Sequence, residues 1–102
     1  MGRTVVFGRF EWDEQKAQAN IRKHGISFEE ATSVFNDPHL VQLYDEAHSS
    51  QDEERIKGIG IIKGLLVVAT IFTERDRKRI ISARQATKQE TEYYYEQNFR
   101  DS

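Results

Sequence analysis

The chain has 102 residues, of which 31% are charged, a formal net charge of −2 and no cysteine. That length supports a single hydrophobic core and leaves no room for a second domain, so residues 1–102 are expected to form one domain. The lack of cysteine excludes disulfides and thiolate metal sites. No apolar run reaches the ~20 residues that cross a bilayer and no signal-peptide pattern opens the chain, so the expectation is a soluble cytoplasmic protein that does not touch membranes.

A charge near zero excludes a polycation that coats nucleic acid by bulk attraction, but the signs are unevenly placed. Residues 45–54 carry five acids and no Lys or Arg, whereas residues 74–88 carry six Lys or Arg against two acids. Such a dipolar surface suits a phosphate backbone on one side or a charged protein partner.

In chain order, residues 4–12, with Val5, Val6, Phe7, Phe10 and Trp12, read as an opening strand interrupted at Gly8. Asp13 is placed to N-cap a helix over residues 14–24, and Gly25 falls where a left-handed residue ends one. Ala17 and Ile21 lie four apart and face the core in this reading, with Lys16, Asn20 and Lys23 on another face. Ser27 and Glu30 have capping-box spacing and open a second helix over residues 28–35. Phe28, Ala31, Val34 and Phe35 supply its buried stripe, and Asn36, Asp37 and Pro38 stop it.

Residues 40–44 read as a short strand, 45–53 as a polar loop, and 55–62 as a strand with Gly58 and Gly60 on one face and Ile59 and Ile61 on the other. Glycines at alternate positions let another backbone or a ligand approach closely. A Lys63-Gly64 turn leads into residues 65–73, which carry no charge and fit a central strand covered on both faces. A charged turn and a last strand over 79–84 follow. Thr87 and Glu90 then repeat the capping-box spacing and open a helix to about Phe99. Tyr93, Tyr94 and Tyr95 are consecutive, so they point in different directions and at least one is exposed. This order predicts an α+β fold: an antiparallel sheet of about four to five strands, two N-terminal helices on one face and a C-terminal helix.

Three segments together resemble the BrnT family of bacterial type II toxins over about residues 10–95: FEWDEQKAQANIRKHGISFEEATSVFNDP, HSSQDEER with the glycine-bearing strand after it, and LLVVATIFTERDRKRIISARQATKQETEYY. KHG followed by SFEEA, the HS-to-EER segment and RIISAR are the most specific pieces. The resemblance implies a RelE-like fold and a ribonuclease that inhibits translation. It also implies neutralisation by a BrnA antitoxin, with operator DNA contacted only through the antitoxin complex. Scaffolds of this kind host varied catalytic residues, so individual roles rest on the residues themselves.

RNA supplies its own nucleophile. When a 2′-hydroxyl attacks the neighbouring phosphate, the protein must accept that proton, hold the developing charge and protonate the leaving 5′-oxygen, and neither metal nor cofactor is required. Arg84 and Arg79 are candidate phosphate clamps, because a guanidinium offers a rigid fork of donors. The alternative is that Arg84 pairs with Glu90 and Arg79 is a solvated strand-end charge. Arg75, Arg77, Lys78 and Lys88 are candidate RNA-binding cations.

His24 is a candidate general acid or base, since imidazoles titrate near neutral pH, or else a cap of helix carbonyls. His48 lies in the polar loop ahead of Glu53, Glu54 and Arg55, a group that supplies a base and a cation, unless Glu54 and Arg55 form an ion pair that pins the loop to the sheet. Trp12 and the tyrosines either stack on bases or pack in the core. His24, His39 and His48 lack metal-ligand spacing. A rival reading keeps the same fold as a nucleic-acid- or protein-binding module without catalysis.

Overall fold

The computed structural model describes residues 2–47, 49–50 and 53–99. Among these, the chain runs β1 (Thr4–Phe7), β2 (Phe10–Asp13), α1 (Glu14–His24), α2 (Phe28–Ala31), a 3-10 segment (Thr32–Asn36), β3 (Val41–Tyr44), β4 (Ile56–Ile62), β5 (Leu66–Thr73), β6 (Lys78–Gln85) and α3 (Lys88–Phe99). The six described strands form one sheet in the order β1-β2-β6-β5-β4-β3.

Local chemistry places most boundaries where the sequence puts them. The Asp13 carboxylate accepts from Lys16 N–H at the start of α1, and Gly25 closes that helix at φ 70°. Both halves of the Ser27–Glu30 capping box form. The Thr87–Glu90 box does the same for α3, with Thr87 N–H donating to Glu90 and Glu90 N–H to the Thr87 hydroxyl. Lys63 and Gly64 both take positive φ in the turn from β4 to β5. β5 is buried along nearly its whole length.

The sheet departs from the expected four to five antiparallel strands. The opening segment is a hairpin of two strands, with Gly8 at φ 60° in the turn closed by the Phe7–Phe10 pair. β2 then joins β6 in parallel through Phe10–Lys78 and Glu11–Arg79 only, so the sheet is mixed. Such a parallel pair is a long-range contact with no local sequence signal.

The second helix is shorter than residues 28–35. It becomes a 3-10 segment at Thr32, where Thr, Ser, Val and Asn favour the α form weakly. That tighter segment presses onto β4, and a Cβ on Gly60 would lie 3.0 Å from both Cβ and the carbonyl oxygen of Val34. Gly60 therefore admits a neighbouring backbone, as its alternate spacing predicts.

Two apolar clusters sandwich the sheet. On the helix-covered face Trp12, Phe28, Val34, Val68, Phe72 and Ile80 pack together. On the other face Ile59, Val67 and Ala69 pack under Tyr94 of α3. The Tyr94 hydroxyl donates to Asp37, which also accepts from Ile61 N–H, so α3 is tied to β4. Burial alone would raise the Asp37 carboxyl, but hydrogen bonds from Tyr94, Ile61 and His39 outweigh it and hold it below its usual value.

α1 reverses the expected faces. Ala17 is buried, but Ile21 is 48% exposed whereas Asn20 is 6% exposed. The reason is a tertiary contact: Asn20 Nδ2 donates to the carbonyls of Ala83 (2.8 Å) and Ile26 (2.9 Å), and its Oδ1 accepts from Ala83 N–H (3.1 Å). Asn20→Asp keeps the shape but turns a second oxygen on two carbonyls. The expected loss is about 2–4 kcal/mol in urea denaturation at neutral pH, recovering in part as acid protonates the new carboxyl.

Candidate active site

The face of the sheet opposite α1 and α2 is only partly covered by α3. β4, β5 and β6 run across it with Lys57, Ile71 and Ser82 in one row, paired as Lys57–Ile71 and Ile71–Ser82. Arg84 lies two residues beyond Ser82, opposite Ala69, and Arg55 lies two residues before Lys57. From the free edge of β6, α1 brings Lys23 and His24. Asn20 fixes α1 against Ala83, and His24 follows one turn later, so the imidazole meets the open face beside Arg84.

These residues line a cavity of about 290 Å³, floored by Ile71 and walled by Lys23, His24, Arg55, Lys57, Arg84 and Asp45. Its lining holds four cations against one acid, Asp45, which makes it the candidate anion site of this face. Its arginine is held by a carboxylate from α3: Arg84 Nη1 and Nη2 donate to Glu90 at 2.6 and 3.0 Å, and Lys57 Nζ donates to the same group at 2.6 Å. The bonds from Arg84, and then from Lys57 and Thr87 N–H, outweigh burial and hold the Glu90 carboxyl far below the carboxylate range. In return Glu90 pushes the Arg84 guanidinium above its usual value. Arg55 pairs with Glu53 at 3.3 Å, and the Asp45 N–H donates to its carbonyl, closing the base of the polar loop.

Of the candidates from sequence, Arg84, His24 and Arg55 meet in this cavity. Arg79 does not. A register shift in the β5–β6 pairing puts Arg79 and Arg84 on the same face, opposite Thr73 and Ala69, but Arg79 pairs with Glu11 at 2.7 Å and lines a different hollow beside Lys16. Glu54 lines a third hollow with Arg75, and the loop ion pair is made by Glu53 instead. His48 lies outside the described residues.

The turn cations have partners away from the cavity: Arg75 with Glu53, Lys78 with Glu74, and Arg77 with the Gly8 carbonyl. Six residues of strand, roughly 20 Å, separate Lys78 from Arg84. Lys88 is exposed at the start of α3. Trp12 is 2% exposed and edge-on to Phe28, so it is a core residue and cannot stack on a base.

Sequence reasoning missed Lys57, Ser82 and Asp45, and saw Glu90 only as a cap or as a partner of Arg84. Strand alternation carried the signal for Lys57, because the pattern that sorts Gly58 and Gly60 to one face sorts Lys57 to the other, with Ile59.

The geometry is that of a small α+β protein whose open sheet face gathers Lys23, Arg55, Lys57 and Arg84 around a cavity with His24 at its rim. A model of the family described as the ribonuclease toxin BrnT of type II toxin–antitoxin systems matches residues 12–90. Among solved structures the chain is similar to the ribonuclease toxin BrnT of Brucella abortus, with 31% sequence identity, a TM-score of 0.56, and coverage of 76% of this chain and 94% of that one. Among curated proteins no match was found. The chain belongs to the BrnT family of ribonuclease toxins of type II toxin–antitoxin systems.

Because the Glu90 carboxyl is depressed in the fold, its contribution to stability is full above the unfolded value of 4.5 and is lost progressively as pH falls from there toward the folded value. Glu90→Gln is therefore expected to lower stability by about 1–3 kcal/mol at pH 7, with the difference from wild type shrinking as pH approaches 3. Urea titrations across this range read the effect.

Proposed function

We propose that the chain is a metal-independent endoribonuclease, a single RelE-like toxin domain acting on cytoplasmic RNA. The observation that carries this reading is the convergence of His24 with Arg55, Lys57 and Arg84, from α1, the approach to β4, β4 and β6, on one cavity. A scissile phosphate seated over Ile71 receives charge-assisted hydrogen bonds from these cations, which grow stronger as the phosphorane develops. The 2′-oxygen attacks phosphorus and the bond to the 5′-oxygen breaks, leaving a 2′,3′-cyclic phosphate and a 5′-hydroxyl. His24 is the one imidazole at the cavity among the described residues; as base it takes the 2′-hydroxyl proton, and as acid it returns it to the leaving 5′-oxygen. Cutting message accounts for inhibition of translation. A BrnA-like antitoxin neutralises the toxin by covering the open face, and operator DNA is met through that complex.

One observation favours a second reading. Both terminal nitrogens of Arg84 are already engaged by Glu90, as in a structural ion pair, and a cavity built that way can bind RNA without cutting it.

RNA incubated with purified protein in excess EDTA separates the two. Cleavage that leaves cyclic phosphate ends is expected from wild type, with rates falling about 100- to 1000-fold in His24→Ala and Arg84→Ala, each checked for folding by circular dichroism. Arg79→Ala, remote from the cavity, is expected to stay within about tenfold of wild type. Wild type that binds RNA and leaves it intact favours the binding module, and cleavage abolished by EDTA overturns the metal-free mechanism.

A further inference from the structure

We propose that Tyr93 and the hollow beneath it form a nucleobase slot that continues the phosphate cavity and selects the base next to the cleaved bond. The inference rests on the ribonuclease reading and deepens it by naming what confers base preference. A second hollow of about 400 Å³ lies between β3, β4 and the first turns of α3, lined by Leu43, Lys57, Ile59, Gln89, Glu90 and Tyr93. Lys57 lines both hollows, and its Nζ holds Glu90 at their junction. A phosphate bound on one side of Lys57 therefore delivers an attached nucleoside to the other.

The second hollow has the chemistry of a base and not of a second phosphate. Its floor is apolar, with Ile59 fully buried and Leu43 half-buried. It holds one cation, Lys57, against the Glu90 carboxylate, where the phosphate cavity gathers four. Tyr93 is 37% exposed and offers an aromatic wall, and the exposed Gln89 amide at the rim can donate to and accept from a base edge. Neither neighbouring tyrosine can substitute. Tyr94 is fully buried with its hydroxyl on Asp37, and the Tyr95 ring packs against Tyr94 and Phe99 at 5.1 and 5.8 Å. Tyr93 also lies past residues 12–90, so the family match assigns it nothing.

The test reads binding of strands that cannot be cleaved. Fluorescein-labelled 2′-O-methyl oligomers of A, C, G and U, and an abasic strand of equal length, are titrated against wild type, Tyr93→Leu and Tyr93→Phe by anisotropy at one fixed salt concentration, with folding checked by circular dichroism. The slot predicts that wild type prefers one or two of the four bases. Tyr93→Leu should weaken the preferred strand about 5- to 100-fold and flatten the preference, Tyr93→Phe should stay within about threefold, and the abasic strand should not distinguish the variants.

Wild-type affinity in Tyr93→Leu, as expected if the hollow instead takes a side chain of a protein partner, overturns the proposal. So does an equal loss on the abasic strand, or the absence of any oligomer binding by wild type. Cleavage of unmodified RNA is scored separately, so a chain that cuts nothing yet binds through Tyr93 would overturn the ribonuclease reading and leave the slot standing.

Discussion

Three hydrogen bonds between Asn20 and the backbone of Ala83 and Ile26 decide how this molecule is assembled. β6 has β5 on one side, but on the other its partner β2 pairs at two positions only, Lys78 and Arg79. Beyond them the strand edge would be left with unpaired peptide groups, which are costly to bury. The chain meets this by turning into α1 at Asp13 and laying the helix along that edge. There one side-chain amide accepts from Ala83 N–H and donates to Ala83 C=O, as a neighbouring strand would. The roll of α1 is then fixed, with Ala17 and Asn20 inward, Ile21 outward and His24 one turn further on at the rim of the open face. A backbone demand thus places the imidazole.

The second constraint is electrostatic. Arg84 and Lys57 sit close enough to share one carboxylate, and two like charges at that range repel unless something offsets them. Glu90, whose side chain is 12% exposed, does so while also capping α3. One residue therefore ties β4, β6 and α3 together and holds two cations in fixed positions before any anion arrives. Preorganised charge of this kind needs no rearrangement when it is used. The cations of the β5–β6 turn are arranged differently. Arg75 and Arg79 face the carboxylates of Glu53 and Glu11 from other segments, and Lys78 faces Glu74 of its own turn, so the basic stretch evident in sequence is largely neutralised in the fold.

What could be read from the sequence follows from how local each cause is. Asp13, Gly25, Ser27 with Glu30, Lys63-Gly64 and Thr87 with Glu90 act within a few residues, and all appear as read. β5 was legible because nine uncharged residues permit little else. The parallel β2–β6 pair was not legible, since it joins residues 68 positions apart, as Glu11 and Arg79 show. Nor was the face of α1, because a pattern that counts apolar residues puts Ile21 inside and Asn20 outside, and only the Ala83 contact reverses them. At the site, Arg84 and Arg79 look equivalent in sequence as charges at the two ends of one strand. In the fold the partner decides: Glu11 draws Arg79 toward β2, and Glu90 draws Arg84 toward Lys57.

Pairing with Glu90 and a role as phosphate clamp are compatible for Arg84. A guanidinium has five N–H donors. Glu90 accepts from one on each terminal nitrogen, and the Gln85 carbonyl lies at 3.4 Å from Nη1, which leaves donors for a ligand on a side chain that is 33% exposed. The carboxylate also fixes the plane of the fork, which a lysine in the same place would lack. On the proposed ribonuclease reading, the ion pair orients the clamp. By the same logic, loss of Glu90 would act on the site through Arg84 and Lys57 without Glu90 itself touching the phosphate.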